Sequence, residues 1–167
     1  MGLFKKSPQD KVNEAFKLYQ QGMDALRSND AARGIPALEK AIEIQKEIGE
    51  QNGEFVCRYQ LGDVYIQMEN HSRAILHLKK ALDLAGVLGK HDEKIDLNFM
   101  LGRANRFAGH PDQAIPFLEE AARLCRAKGD HERLCSALNN LGLAYRHTSN
   151  AAKARLTYQE ALADPAI

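Results

Sequence analysis

The sequence has no tryptophan, five prolines and only three cysteines in 167 residues. The cysteines, Cys57, Cys125 and Cys135, form no Cys-x-x-Cys pair and no Cys/His spacing typical of a zinc site. An odd number of scattered thiols fits a reducing compartment. We therefore expect the protein in the cytoplasm.

The sequence also lacks an excess of charge of either sign and any long apolar run. Its 23 Lys and Arg residues nearly balance 22 Asp and Glu residues, and a net charge of +1 gives no field that would attract nucleic acid. No stretch approaches the roughly 18 consecutive apolar residues of a membrane span, and residues 1–6 lack the apolar core of a signal peptide. These absences predict no nucleic-acid partner, no membrane span and no secretion.

Motifs of catalysis and cofactor binding are missing as well. His91 and His131 share a repeat position, but they fall in predicted turns and lack the i, i+4 pairing of a metal site. No phosphate-binding loop and no Gly-x-Ser-x-Gly elbow occurs. The sequence thus predicts a protein that is not an enzyme, with no catalytic residue, metal or cofactor.

What the sequence contains is a repeat of 40 residues. Two sets of small residues recur at this spacing: Gly22, Gly62, Gly102 and Gly142, and Ala41, Ala81, Ala121 and Ala161. Within each repeat the apolar residues follow a helical period over two segments. Small residues at fixed positions let two helices approach closely. Each repeat is therefore predicted to be a pair of antiparallel helices.

Helix ends are predicted from capping residues. Asp30, Asn70 and Asn150 precede second helices as N-caps, and Pro111 takes a first helical position. We predict first helices near 10–28, 53–69, 92–108 and 131–148, and second helices near 31–48, 71–88, 111–128 and 151–163. The predicted fold is an all-α solenoid of four helix-turn-helix repeats, near 10–50, 51–90, 91–130 and 131–167. Residues 1–9 are predicted to be a flexible tail.

The repeat resembles the tetratricopeptide repeat. The second unit carries that pattern as Leu61, Gly62, Tyr65, Ala74, Leu78 and Ala81. A unit of 40 residues exceeds the usual 34, and this length is similar to the long repeats of kinesin light chains and of polarity adaptors that bind Gα regulators. The stretch 138–146 is most similar to that subfamily. The resemblance implies a right-handed superhelix that binds proteins.

The resemblance also implies a partner groove lined by the first helices, three residues before each repeat glycine and one, four and five after it. These positions predict the partner-binding residues Tyr19, Tyr59, Asp63, Phe99, Arg103, Arg106, Phe107, Asn139, Leu143 and Arg146. Tyrosines at one end and arginines at the other favour a peptide or helix with apolar and acidic residues. Tyr19 and Met23 replace the Lys and Asn of a chaperone-binding clamp, so chaperone C-termini are not expected.

Alternatives remain open. The arginines could be ordinary solvated side chains, and Phe99 and Phe107 could belong to the core. The chain could also be a self-assembling scaffold that forms homo-oligomers through its C-terminal end, where Leu156 and Leu162 would lack a covering helix. A receptor for a signalling peptide is a third possibility.

Overall fold

The computed structural model describes residues 7–163, and all regular structure in that range is helical. The helices are α1 Pro8–Arg27, α2 Ala31–Ile48, α3 Gln51–Gln67, α4 His71–Val87, α5 His91–Phe107, α6 Pro111–Lys128, α7 His131–His147 and α8 Ala151–Leu162. Every predicted helix end lies within two residues of the observed one. Residues 1–6 of the predicted tail lie outside the described residues, and α1 already begins at Pro8.

Side chains fix the helix starts as predicted. The side chains of Asp30, Asn70 and Asn150 each accept a hydrogen bond of 3.1–3.2 Å from the backbone N–H three residues further on. His110 makes no side-chain cap bond, and Pro111 occupies the first turn of α6. Each second helix thus begins at the same position of its repeat.

The turns within the repeats share a backbone conformation that the sequence did not predict. Asn29, Glu69, Gly109 and Ser149 occupy one repeat position, and their φ angles are 59°, 56°, 81° and 60°. The left-handed region costs little only for glycine. Three of the four turns therefore place a side chain in an unfavourable backbone conformation.

The helices form two compact units that divide within α3, between Leu61 and Gly62. In the N-terminal unit, α1 packs on α2, and the core includes Ala15, Leu38, Ala41, Phe55 and Cys57. In the C-terminal unit, α4 to α8 each pack on the next helix, and α5 also contacts α7.

The repeat glycines make these close packings possible. A β-carbon on Gly62 or Gly102 would lie closer than 3.0 Å to the side chain of Leu78 or Leu118, and one on Gly142 would meet Tyr158 in the same way. The large side chain of the second helix fills the space above the glycine of the first. The glycine and leucine positions are therefore architectural.

Candidate partner-binding surface

Four of the predicted residues lie on α5. Phe99, Arg103 and Arg106 follow a spacing of four and three residues, which places them on one side of the helix. The guanidinium carbon of Arg103 lies 5.7 Å from the centroid of the Phe99 ring. That of Arg106 lies 4.2 Å from the centroid of the Phe107 ring. Each arginine is thus held over an aromatic face by a cation–π contact.

Arg106 is the most constrained of these cations. Its Nη2 donates a hydrogen bond of 3.4 Å to Asn140 Oδ1 on α7. Its Nε is buried and has no hydrogen-bond partner among residues 7–163. Burial, followed by the charge of Arg103, lowers the pKa of the Arg106 guanidinium. The positive charge is therefore partly desolvated and lies beside a second one.

Carboxylates neutralise other arginines of the C-terminal unit. Arg123 pairs with Glu120 at 2.7 Å, and Arg126 pairs with Glu160 at 2.5 Å. In contrast, Arg103, Arg106 and Arg146 form no ion pair with any residue that the structure describes. Their charges remain available to an anionic partner.

The two phenylalanines differ in their surroundings. Phe99 is half-buried and packs against both core clusters of the C-terminal unit. Phe107 is exposed and stacks on the His71 ring, with centroids 5.5 Å apart and an interplanar angle of 23°. Phe99 therefore contributes to the core, whereas Phe107 presents apolar surface to solvent.

Two neighbouring asparagines on α7 have different surroundings. Asn139, one of the predicted partner-binding residues, is exposed and makes no hydrogen bond to a described residue. Asn140 contacts Arg106 instead, and its Nδ2 donates to the Ser136 carbonyl at 2.9 Å. The prediction missed Asn140 because the family positions that it used skip the residue two before the glycine. We use the term α5–α7 surface for the four residues on α5 together with Asn139, Asn140 and Leu143 on α7.

The remaining predicted residues are distributed over both units. Arg146, on α7, is exposed and occupies the repeat position of Arg106. Asp63 is half-buried and accepts a hydrogen bond of 2.7 Å from Gln67 Nε2. Tyr59, in the N-terminal unit, has its ring centroid 6.1 Å from that of Phe55. Tyr19 lines a separate pocket of the same unit.

Within residues 7–163, every helix is too short or too polar to span a membrane. The same range contains no group of three or more His, Cys, Asp or Glu side chains arranged to hold a metal ion.

The repeat agrees with a known sequence family. The profile described as tetratricopeptide repeat matches residues 13–86 and 97–164, which together make up most of the chain. No curated protein sequence matches the chain.

Solved structures with similar folds include BtubC (BKLC) from P. vanneervenii, with a TM-score of 0.77 and 19% identity over 98% of this chain and 66% of its own. A putative kinesin light chain of P. anserina with TPR-like repeats has a TM-score of 0.74 and 14% identity, over 91% of this chain and 75% of its own. The C-terminal TPR-containing domain of a putative FK506-binding protein from Plasmodium falciparum has a TM-score of 0.68 and 21% identity, over 91% and 99%. These similarities confirm the predicted fold class, an α solenoid of helix-turn-helix repeats.

Proposed function

Because the chain belongs to the tetratricopeptide repeat family, we propose that it is a non-catalytic adaptor whose α5–α7 surface binds an acidic and apolar peptide or helix of a partner protein. Membership of this family supports a role in protein–protein interaction, and its members are generally non-catalytic scaffolds.

The proposal rests on two arginines of α5. Arg103 and Arg106 form no ion pair with a carboxylate of any residue that the structure describes. The hydrogen bond from Arg106 to Asn140 is long, at 3.4 Å, so a partner carboxylate could replace it with a shorter, charge-assisted bond. Arg103 is close enough to lower the pKa of Arg106, so a carboxylate would also relieve repulsion between the two cations.

Apolar residues of the partner would contact Phe107 and Leu143. Phe107 is exposed and already ordered by stacking on His71, so little side-chain freedom is lost when a ligand covers it. Leu143 is half-buried on α7. An acidic residue next to a leucine or an aromatic residue is therefore the simplest ligand for this surface.

A peptide-display selection tests the proposal. Random peptides selected on the wild-type chain should be enriched in Asp or Glu beside apolar residues. The double variant Arg103→Glu/Arg106→Glu should bind the selected peptides at least about tenfold more weakly, since losing a charge-assisted bond costs about 1.5–3 kcal/mol. Wild-type affinity should also fall as salt rises.

Lys79→Glu/Arg155→Glu is a matched control, because both residues are exposed on second helices and the net charge changes equally. This variant should bind like the wild type, and circular dichroism should show equal helicity for all three proteins. Peptides without acidic residues, or equal losses in both double variants, would contradict the proposed site.

Cytoplasmic localisation is part of the proposal. It is supported by the free thiols of Cys57, Cys125 and Cys135. The thiols can be alkylated in intact cells, and the protein can then be denatured with more of the same reagent but without reductant. Its mass should show that every cysteine carries the label. A disulfide found in this way would contradict the assignment.

Self-assembly through α8 is a second candidate, favoured by Leu162. This side chain is 78% exposed, whereas Ile42 and Ala122 at the same repeat position are buried. Leu156 gives no such support, because Leu76 at its repeat position is equally exposed, at 60%. Under the adaptor proposal, light scattering should give a monomer mass at all concentrations. Growing oligomers that Leu162→Gln abolishes would favour the scaffold.

A further inference from the structure

A pocket of the C-terminal unit lies between α6, α7 and α8, and none of its lining residues belongs to the α5–α7 surface. Its volume is about 270 Å³, and we call it the α6–α8 pocket. Leu141, Tyr145 and Thr157 form part of its floor and keep 6%, 7% and 8% of their surface exposed. Leu156, which also lines it, is exposed. The floor is therefore open to a ligand from solvent.

The pocket exists because two of its residues are smaller than their counterparts in neighbouring repeats. Ala122 on α6 occupies the repeat position of Leu82 on α4. Thr157 on α8 occupies the position of His77 and Phe117, in the two repeats before it. Equivalent positions of a repeat protein have similar surroundings. The fourth repeat therefore lacks a ring that the second and third repeats supply from their own sequence.

The second repeat shows how such a ring packs. Tyr65 and Tyr145 share a repeat position. The guanidinium carbon of Arg73 lies 5.5 Å from the centroid of the Tyr65 ring, as Lys153 Nζ lies 5.2 Å from that of Tyr145. The His77 ring also stacks on Tyr65, with centroids 5.5 Å apart and an interplanar angle of 27°. No ring of a described residue stacks on Tyr145 in this way.

The hydroxyl groups of the floor already have partners. The Tyr145 hydroxyl donates to Glu119 Oε1 at 2.5 Å, and Thr157 Oγ1 donates to the Lys153 carbonyl at 2.9 Å. A ligand that brought its own polar group to this floor would lose hydrogen bonds to water without a matching gain. Among aromatic side chains, only phenylalanine has no such group. The floor therefore favours a phenyl ring.

Charged side chains surround this floor. Arg126 and Glu160 pair with each other at 2.5 Å. Glu119 and Lys153 are exposed, and neither forms an ion pair with a residue that the structure describes. One anion and one cation thus remain available at the rim. A partner segment with a basic and an acidic side chain near its phenylalanine would complement them.

We propose that the α6–α8 pocket binds a phenylalanine side chain of a partner protein, with charged residues of both signs close to it in the partner. The phenyl ring stacks on Tyr145 as His77 stacks on Tyr65, and it occupies the space that Thr157 leaves open. A volume just below the usual range of ligand pockets, about 300–1,000 Å³, suits a single side chain.

NMR of methyl groups tests the contact directly. The protein is labelled with ¹³C in the methyl groups of alanine, leucine and threonine and titrated with N-acetyl-phenylalaninamide. The ring current should shift the methyl signals of Ala122, Leu156 and Thr157, which all line the pocket, and the shifts should saturate. N-acetyl-leucinamide should bind about two- to tenfold more weakly, because it cannot stack on Tyr145.

Two variants fill the pocket from different helices. Thr157→His restores the residue type of the second repeat, so its ring should stack on Tyr145 and abolish binding of the phenylalanine probe. Ala122→Leu fills the space from α6 and should have the same effect. Arg155→His is the matched control, because Arg155 is exposed on α8 and does not line the pocket. Circular dichroism should show equal helicity, and if one filled variant loses it, the other still decides.

Peptide display tests the nature of the partner. The bait is the double variant Arg103→Glu/Arg106→Glu, which lacks the cations of the α5–α7 surface, and Thr157→His serves for counterselection. Selected peptides should contain phenylalanine near residues of both charges. Because the bait has no working α5–α7 site, failure of that proposal leaves this result unchanged, and the two failures are distinguishable.

Four outcomes would overturn the proposal. They are no saturable shift in the wild type, equal affinity for both probes, binding that survives in both filled variants, and selected peptides without phenylalanine. Light scattering covers a fifth case. If the wild type formed oligomers that Thr157→His abolished, the pocket would bind a second copy of this chain, and a separate partner would be excluded as its occupant.

Discussion

The Tyr145 hydroxyl donates a hydrogen bond of 2.5 Å to Glu119 Oε1 and thereby joins α7 to α6. Tyr145 is buried, and Lys153 Nζ lies 5.2 Å from the centroid of its ring. Burial, followed by the hydrogen bond to Glu119 and its charge, raises the pKa of Tyr145 to about 12. The phenol therefore keeps its proton at pH values where an ordinary tyrosine loses it.

We predict that Tyr145 makes the stability of the protein depend on alkaline pH. Its folded pKa lies above the ordinary value of 10.0, so its contribution is complete below pH 10 and is lost as the pH rises towards 12. Tyr145→Phe should lower the free energy of unfolding by about 1 kcal/mol at neutral pH. Urea unfolding between pH 8 and pH 11 should show this difference shrinking, because the wild type alone loses the contribution.

Tyr158→Phe is the control for this experiment, because its ring still packs against Gly142 and only the hydroxyl is lost. This variant should keep the wild-type dependence on pH. An equal alkaline loss of stability in wild type and Tyr145→Phe would show that the bond to Glu119 has no such role.

Replacing a helix glycine by alanine is predicted to change stability in opposite directions, depending on which atoms lie beside the glycine. Gly102→Ala should destabilise the protein by about 1–3 kcal/mol, because the new methyl group would overlap with the Leu118 side chain. Gly86→Ala, also in a helix, has only Lys94 Nζ within 4.0 Å and should stabilise it by about 0.5–1 kcal/mol. Thermal unfolding would measure both. Equal effects would contradict the architectural role of the repeat glycines.

The fold could be predicted from sequence because each architectural feature recurs. The glycines at 22, 62, 102 and 142 fix the helix contacts, and the caps Asp30, Asn70 and Asn150 fix the helix starts. Each signal occurs in several repeats, so the sequence itself contains independent confirmation. This redundancy explains the agreement of the helix ends within two residues.

The candidate sites could be predicted only in part, because they depend on residues that depart from the repeat. Family positions indicated Arg103 and Arg106, but not the contact of Arg106 with Asn140 on the next first helix. They also gave no sign that Tyr145 lacks the stacked ring that Tyr65 has. Such pairings depend on side-chain conformations and on neighbours far away in sequence, which periodicity does not encode.

Replacing the turn residue Glu69 should make the folded protein more stable. Its φ of 56° is unfavourable for a residue with a β-carbon, whereas Gly109 at the same repeat position adopts 81° without that cost. We expect Glu69→Gly to raise the free energy of unfolding by about 0.5–1 kcal/mol. The reciprocal change, Gly109→Ala, should lower it by about 1 kcal/mol. Urea unfolding measures both, and a loss of stability in Glu69→Gly would contradict the assigned strain.

The three cysteines should differ strongly in reactivity. Burial raises the pKa of the Cys57 thiol to about 11, and burial also raises the pKa of Cys125. Cys135 is only half-buried, and its thiol lies 3.6 Å from the Ala161 carbonyl oxygen. Iodoacetamide at pH 8 should therefore label Cys135 first, because the thiolate is the reactive form and reagent must reach it.

Peptide mapping by mass spectrometry gives the labelling rate of each thiol separately. Cys57 and Cys125 should react only as fast as the protein opens, so mild urea should accelerate their labelling far more than that of Cys135. In Cys135→Ser the fast reaction should disappear, while the two slow rates stay unchanged. Labelling of Cys57 as fast as Cys135 in buffer alone would mean that the core of the N-terminal unit is open to solvent.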